Sequence, residues 1–138
     1  MYRDIGIDAW EYSVDWVDRA RAHVARMRAE RQFEWFAAED DCGFAGCAGG
    51  NLHVVYPEIF ASDVRRFGVV WGVYVRPEHR RRGLGRLLTQ TVMDYLSGIG
   101  CVKVRLHASP QGKAMYVAMG FVPSNELEIE VSPSGAVE

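Results

Sequence analysis

The chain reads as a single α/β domain built on a mixed β-sheet. Three observations carry that reading: the order of elements, one strand that is apolar on both faces, and a glycine-bearing turn joining that strand to an amphipathic helix. The order is helix, three strands, helix, strand, helix, strand. Three successive strands before a long helix call for a mixed sheet rather than a purely parallel one. With 138 residues, 49% of them hydrophobic, the chain can bury one core and is too short for two ordinary domains. The expected domain is 1–138, with 1–13 and 132–138 weakly structured.

The elements follow from local patterns. From Val14 to Arg31, Val17, Ala20, Val24 and Met27 fall on one helical face. Ser13 is a candidate N-cap, and Asp15 suits the first turn. Gln32–Ala38 reads as a strand, Glu39–Gly43 as a hairpin turn, and Phe44–Val55 as a second strand. Gly46, Gly49 and Gly50 in that strand suggest a bulge or a close packing contact. Tyr56–Arg66 is a loop. Phe67–Arg76 (FGVVWGVYVR) is apolar on both faces and therefore central. Pro77 stops it.

A helix then begins near Arg82, with Leu84, Leu87, Leu88, Thr91, Val92 and Tyr95 as its apolar stripe, and ends at Gly98 and Gly100. Cys101–Ala108 is a strand, which makes the connection from Phe67–Arg76 a right-handed parallel crossover. Gln111–Met119 is a short helix capped by Gly120. Leu127–Val131 alternates with glutamates and reads as a closing edge strand.

Charge and cysteines narrow the function. A net charge of −2 gives no global field toward nucleic acid. The arginines from Arg76 to Arg86 form a local positive patch instead. Cys42, Cys47 and Cys101 have no metal-ligand spacing and read as reduced thiols, so a cytoplasmic setting is expected. No pair of histidines or cysteines is spaced to hold a metal. No long apolar segment suits a membrane span.

The turn Arg80-Arg81-Arg82-Gly83-Leu84-Gly85-Arg86 is the chemical centre of the sequence. The first turn of a helix leaves amides unpaired, and its dipole favours an anion. Gly83 and Gly85 let the backbone approach a ligand, and Arg80, Arg81, Arg82 and Arg86 can add charge-assisted contacts. The turn lacks the Lys-Ser/Thr pair of a nucleotide-triphosphate loop, and the third glycine of a dinucleotide fingerprint is absent.

These residues resemble the Gcn5-related N-acetyltransferase (GNAT) superfamily. Arg80-Arg81-Arg82-Gly83-Leu84-Gly85 matches every fixed position of its Gln/Arg-x-x-Gly-x-Gly/Ala signature. Val73-Tyr74-Val75-Arg76-Pro77 resembles the preceding strand and its proline exit. Leu106-His107-Ala108-Ser109 resembles the next strand and its end. Ala114–Phe121 resembles the family's "LYxxxGF" helix. The resemblance covers roughly Gln32 to Val131. It implies an acyl-CoA N-acyltransferase fold, with a central mixed sheet, splayed parallel strands and flanking helices.

The resemblance also implies that acetyl-CoA lies where Phe67–Arg76 and Cys101–Ala108 splay apart. The backbone of Val73 and Val75 would pair with the pantetheine arm. The amides of Arg81 to Arg86 would hold the pyrophosphate. Ser109 stands where many members have an asparagine touching the cofactor, and Tyr116 would protonate the departing thiolate. The N-terminus departs from the pattern: a short Tyr2–Ile7 segment precedes one helix, where relatives have a strand and two helices.

Transfer of an acetyl group to an amine needs a neutral amine, a stabilised oxyanion and an acid for the thiolate. A backbone N–H of Val73 or Val75 could serve the oxyanion, and the Tyr116 phenol the acid. The base stays open among Glu58, Asp63, Glu126, His53 and His107, while Glu78 lies toward the wrong end. Trp35 and Trp71 read as core. Trp10, Trp16, Tyr56 and Tyr74 are candidates to line an acceptor pocket. The expected activity is acetyl transfer from acetyl-CoA to a primary amine of a small molecule or peptide. A non-catalytic acyl-CoA-binding or sensor domain is the alternative. No nucleic acid or membrane partner is expected, and an edge strand in a small domain makes a homodimer possible.

Overall fold

The computed structural model describes residues 15–30, 32–55 and 65–129. Its elements run α1 (Trp16–Ala29), β1 (Phe33–Asp40), β2 (Gly43–Val55), β3 (Arg65–Val75), a 3-10 turn (Pro77–His79), α2 (Leu84–Gly98), β4 (Lys103–Leu106) and α3 (Lys113–Ala118). The sheet order is β1-β2-β3-β4. The first two pairings are antiparallel and the last is parallel. The expected mixed sheet is therefore present, and β3, apolar on both faces, is an interior strand. Ser13, the Tyr2–Ile7 segment, Trp10, Tyr56, Glu58, Asp63 and the tail from 130 lie outside the described residues. Among the described residues no helix is long and apolar enough to cross a membrane.

One face of the sheet carries α2. Ala48 of β2 and Val70 of β3 pack with Leu88, Val92 and Leu96 of α2, and all five are buried. The approach is close because β2 presents glycine: a Cβ at Gly50 would lie 2.4 Å from Val92 Cγ1. Phe36, Ala38, Val73, Val75 and Leu84 extend this core at half burial. The apolar stripe of α2 differs from the expected one. Leu88, Thr89, Val92 and Leu96 are buried, while Leu87 is 63% exposed. The helix seats on the row 85, 89, 92, 96, a rotation of the face that the leucines alone suggested.

The irregularity expected in β2 is shared with β3. Between Cys47 and Gly49 the partners run from Tyr74 to Trp71, so β3 carries one extra residue there. Gly72 sits in this bulge with φ of 61°. An extra residue reverses which face the following side chains take. Trp71 lies away from α2, packed on Trp35 and Phe33 with ring centroids 5.1 and 5.3 Å away. Beyond the bulge, Val73 and Val75 turn back onto the α2 core. Tyr74 lies opposite and stacks on Phe44 at 6.4 Å.

Several boundaries shift. The cap position of α1 falls on Asp15, with no side-chain cap bond, rather than on Ser13. The turn between β1 and β2 narrows to Asp41 and Cys42, because the strands stay paired out to Asp40 and Gly43. The closing strand expected at Leu127–Val131 does not form over its described part. Leu127 and Ile129 are 99% and 83% exposed and carry no strand pairing. Alternation marks strand tendency, but a strand exists only with a partner ladder and a face to bury. Helix α3 ends as the sequence implies. The Phe121 amide donates to the Tyr116 carbonyl and the Gly120 amide to the Val117 carbonyl. Gly120 takes φ of 96° in this Schellman cap.

Leu96→Ala should lower the unfolding free energy by about 2–5 kcal/mol, since it empties a fully buried site beneath β2 and β3. The test is a urea titration, with a lower midpoint at unchanged slope.

Candidate acyl-donor site

The site grows from the parting of β3 and β4. Their parallel pairing runs from Phe67↔Lys103 to Val70↔Leu106 and stops there. β3 continues to Val75, so residues 71–75 have no β4 partner on that side. Val73 and Val75, expected to offer backbone groups to a ligand, lie on this stretch. The Val75 carbonyl accepts a bond from Arg80 Nε at 2.9 Å.

The chain leaves β3 through a fastened exit. The Arg76 amide donates to the Ala45 carbonyl at 2.9 Å, and its guanidinium pairs with Glu78 at 2.6 Å and reaches the Phe44 carbonyl at 3.3 Å. His79 lies 3.3 Å from Asp40. These contacts tie the 3-10 turn to the β1–β2 hairpin and occupy Glu78, the carboxylate already set aside as a base.

Beyond the exit the backbone opens. Arg81 has φ of 62° and Gly83 φ of 82°, with Gly83 at the N-cap of α2. A left-handed residue at the cap favours glycine, since any Cβ would strain the backbone. The His79, Arg80 and Leu87 amides are paired. Among the described residues the six amides from Arg81 to Arg86 have no backbone partner. Nor does Arg80, Arg81, Arg82 or Arg86 have a carboxylate at ion-pair distance among those residues. Unpaired amides, a helix dipole and unneutralised guanidinium groups converge on one turn, an arrangement suited to a pyrophosphate.

Helix α3 closes the other wall. A Cβ at Gly85 would lie 3.4 Å from Met115 Sδ and 3.7 Å from Val75 Cγ2, so the first turn of α2 meets both α3 and the end of β3. Tyr116 is 8% exposed, with Phe121 edge-on to its ring at 5.9 Å. Gly112 makes room for the ring, since a Cβ there would sit 2.9 Å from Tyr116 Cε2. Burial pushes the Tyr116 phenol above its ordinary value, and a side-chain hydrogen bond with Thr89 offsets part of that. The phenol is thus held protonated at neutral pH.

Ser109 has a structural task as well as the expected one. Its Oγ and its carbonyl both accept from the Gly112 amide at 3.1 Å, and its carbonyl accepts from Lys113 at 3.0 Å, which turns the chain into α3. The candidate bases scatter. His53 and His107 are exposed, and Glu126 is ion-paired with Arg105 beside β4. Cys47 and Cys101 stay poor nucleophiles: burial pushes Cys47 up to about 11, and burial also raises Cys101. Among the described residues no three His, Cys, Asp or Glu side chains could hold a metal ion. Thr89, Gly112 and Met115 escaped the sequence reading. The i+4 spacing of Gly85 and Thr89 was the available signal, masked by the leucines on either side.

Residues 2–121 match the acetyltransferase (GNAT) family. The chain belongs to that family. The match begins well before Gln32, so the family pattern takes in the N-terminal stretch as well. Glucosamine 6-phosphate N-acetyltransferase 1 of Oryza sativa subsp. japonica is 33% identical over 66 residues, 48% of this chain and 40% of the rice protein. The match thus spans less than half of that relative. A Gcn5-related N-acetyltransferase of Ralstonia eutropha superposes with a TM-score of 0.74 and 25% identity, covering 95% of this chain and 85% of that one. A predicted acetyltransferase of Clostridium acetobutylicum, solved with acetyl-CoA, superposes with a TM-score of 0.77 over 94% of this chain and 82% of its own. At 20% identity this second likeness concerns the fold. The parting pair β3 and β4 and the Arg80–Arg86 turn therefore lie within the stretch that matches the family.

Gly83→Ala should cost about 1–2 kcal/mol at this GNAT turn, because alanine must then take the left-handed conformation. Isothermal titration with coenzyme A should show weaker binding, by roughly tenfold if that cost falls on the bound turn.

Proposed function

We propose that the chain transfers the acetyl group of acetyl-CoA to a primary amine, with Tyr116 as the general acid. The observation that carries the reading is a buried phenol on α3, the helix that meets the first turn of α2, where the amides are unpaired. Family membership and the rice relative support acetyl transfer to nitrogen. Acetyl-CoA supplies an activated thioester. The amides from Arg81 to Arg86, with the side chains of Arg80, Arg81, Arg82 and Arg86, would hold its pyrophosphate. Gly83, Leu84 and Gly85 leave that backbone accessible. The unpaired stretch at Val73 and Val75 would bind the amide-bearing arm, and Arg80 would release the Val75 carbonyl to it. Ser109 keeps a hydroxyl proton to offer beside α3.

The amine attacks as its neutral form, and the phenol proton goes to the leaving sulfur. Burial helps by keeping the acid form available while the amine loses its proton. Since the Tyr116 value lies above its ordinary 10, activity should rise with pH as the amine deprotonates. It should then persist until the phenol ionises above that point. A hexosamine 6-phosphate is the first acceptor to try, on the strength of the rice relative's activity.

Tyr116→Phe should lower kcat by about 100-fold, at the low end for a general acid, and leave coenzyme A affinity unchanged. Thiol release with glucosamine 6-phosphate and a panel of peptide and small-molecule amines reads the first effect. Isothermal titration reads the second. Tight binding of acetyl-CoA with no turnover on any amine would instead favour a non-catalytic acyl-CoA-binding domain.

A further inference from the structure

The peptide that joins Val75 to Arg76 faces two ways. The Arg76 amide donates across to the Ala45 carbonyl, beside β2's pairing with β3, at 2.9 Å. In a trans peptide the carbonyl points opposite to the amide. The Val75 carbonyl therefore faces the open side of β3, where β4 has already ended. A carbonyl on such an edge is a ladder group with no strand to pair it. Arg80 supplies the missing donor: its Nε lies 2.9 Å from the Val75 oxygen. The side chain reaches back over the 3-10 turn, which the Arg80 amide closes on the Pro77 carbonyl at 3.3 Å. Among the described residues, Arg80 alone of the turn's arginines bonds to β3. It is exposed, and no carboxylate among those residues neutralises it. The run of unpaired amides starts at the next residue. One guanidinium thus stands where the open strand edge meets the phosphate turn.

We propose that Arg80 is a bolt on the strand edge that a pyrophosphate draws, so that the chain selects thioester donors whose amide-bearing arm also carries a pyrophosphate. This rests on the donor-site reading above. In the free protein the Arg80 bond closes the Val75 carbonyl to an incoming amide. A pyrophosphate on the Arg81–Arg86 amides offers the guanidinium a counter-charge. Bonds from arginine to phosphate are stronger than a bond to a neutral carbonyl and are often bidentate. The guanidinium turns to the phosphate, and the Val75 carbonyl is free to accept an N–H of the arm. An arm without pyrophosphate must displace Arg80 with no phosphate there to take the guanidinium. The two halves of the donor are coupled through one side chain, and that coupling is reciprocal.

The test titrates wild-type protein, Arg80→Ala and Arg82→Ala with coenzyme A, pantetheine and inorganic pyrophosphate, while NMR follows the Val75 carbonyl resonance. In wild-type protein, pyrophosphate alone should move that resonance to its position in ligand-free Arg80→Ala. It should also tighten pantetheine binding by about threefold to tenfold, the range of one net hydrogen bond. Arg80→Ala should bind pantetheine tighter by about the same factor, coenzyme A more weakly, and show no coupling between pyrophosphate and pantetheine. Arg82→Ala should weaken coenzyme A and leave pantetheine binding as in wild type.

An arginine that only met phosphate would leave pantetheine binding untouched. With coenzyme A binding intact, pantetheine affinity in Arg80→Ala that is equal to wild type, weaker, or undetectable in both would overturn the proposal. Independent binding of pyrophosphate and pantetheine to wild-type protein would do the same. Failure of coenzyme A to bind wild-type protein would sink the donor-site reading instead. The ligand-free Val75 resonance still decides the contact in that case: the same position in wild type and Arg80→Ala means that no bolt exists.

Discussion

The seating of α2 on the glycine-bearing face of β2 and β3 positions everything else in the site. Val92 and Leu96 are fully buried there, and Gly50 leaves no room for a larger residue beneath Val92. A helix held this close by its middle has a fixed N-terminus. That end lies beside Val75, where β3 has already left β4 behind. The unpaired amides, the arginines and the unpartnered strand stretch are adjacent because one interface sets all three.

The bulge at Gly72 makes this geometry compatible with the strand pattern. Without the extra residue, Val73 and Val75 would share the face of Trp71, away from α2. With it, Trp71 joins Trp35 and Phe33 on one side, while the two valines complete the core under the first turns of α2. A sheet position is thus spent on geometry rather than on another ladder bond. The same economy appears in α3, where a helix of six residues is fixed by Ser109 at its entry and the Gly120–Phe121 cap at its exit. Both ends are pinned, so the Tyr116 ring keeps its orientation although the helix is too short to be stable alone.

Much of the site was legible in the residues because its signals are local. Pro77, Gly83 and Gly120 are read from backbone chemistry, and the family signature lies within six consecutive residues. The mixed sheet and its interior strand followed from element order and from a strand apolar on both faces. Legibility failed where a partner decides the outcome. Leu127 and Ile129 alternate as a strand would, yet in the described residues no neighbour pairs with them. Ser109 looked like a ligand contact, and its hydroxyl also accepts a bond that turns the chain.

The sequence alone determined the kind of domain, and it pointed to an acyl-CoA donor and to the Arg80–Arg86 turn as its candidate site. These depend on patterns within one or two helical turns. Only the tertiary structure showed that Thr89, and not Leu87, lies on the buried face of α2, that the bulge returns Val73 and Val75 to the core, and that Arg80 occupies the Val75 carbonyl. Each of these depends on the exact rotation or register of one element against another. A single residue of offset reverses a strand face or turns a helix by about 100°, taken from 3.6 residues per turn. Composition and spacing do not resolve an offset of that size, whereas close packing against a fixed neighbour does.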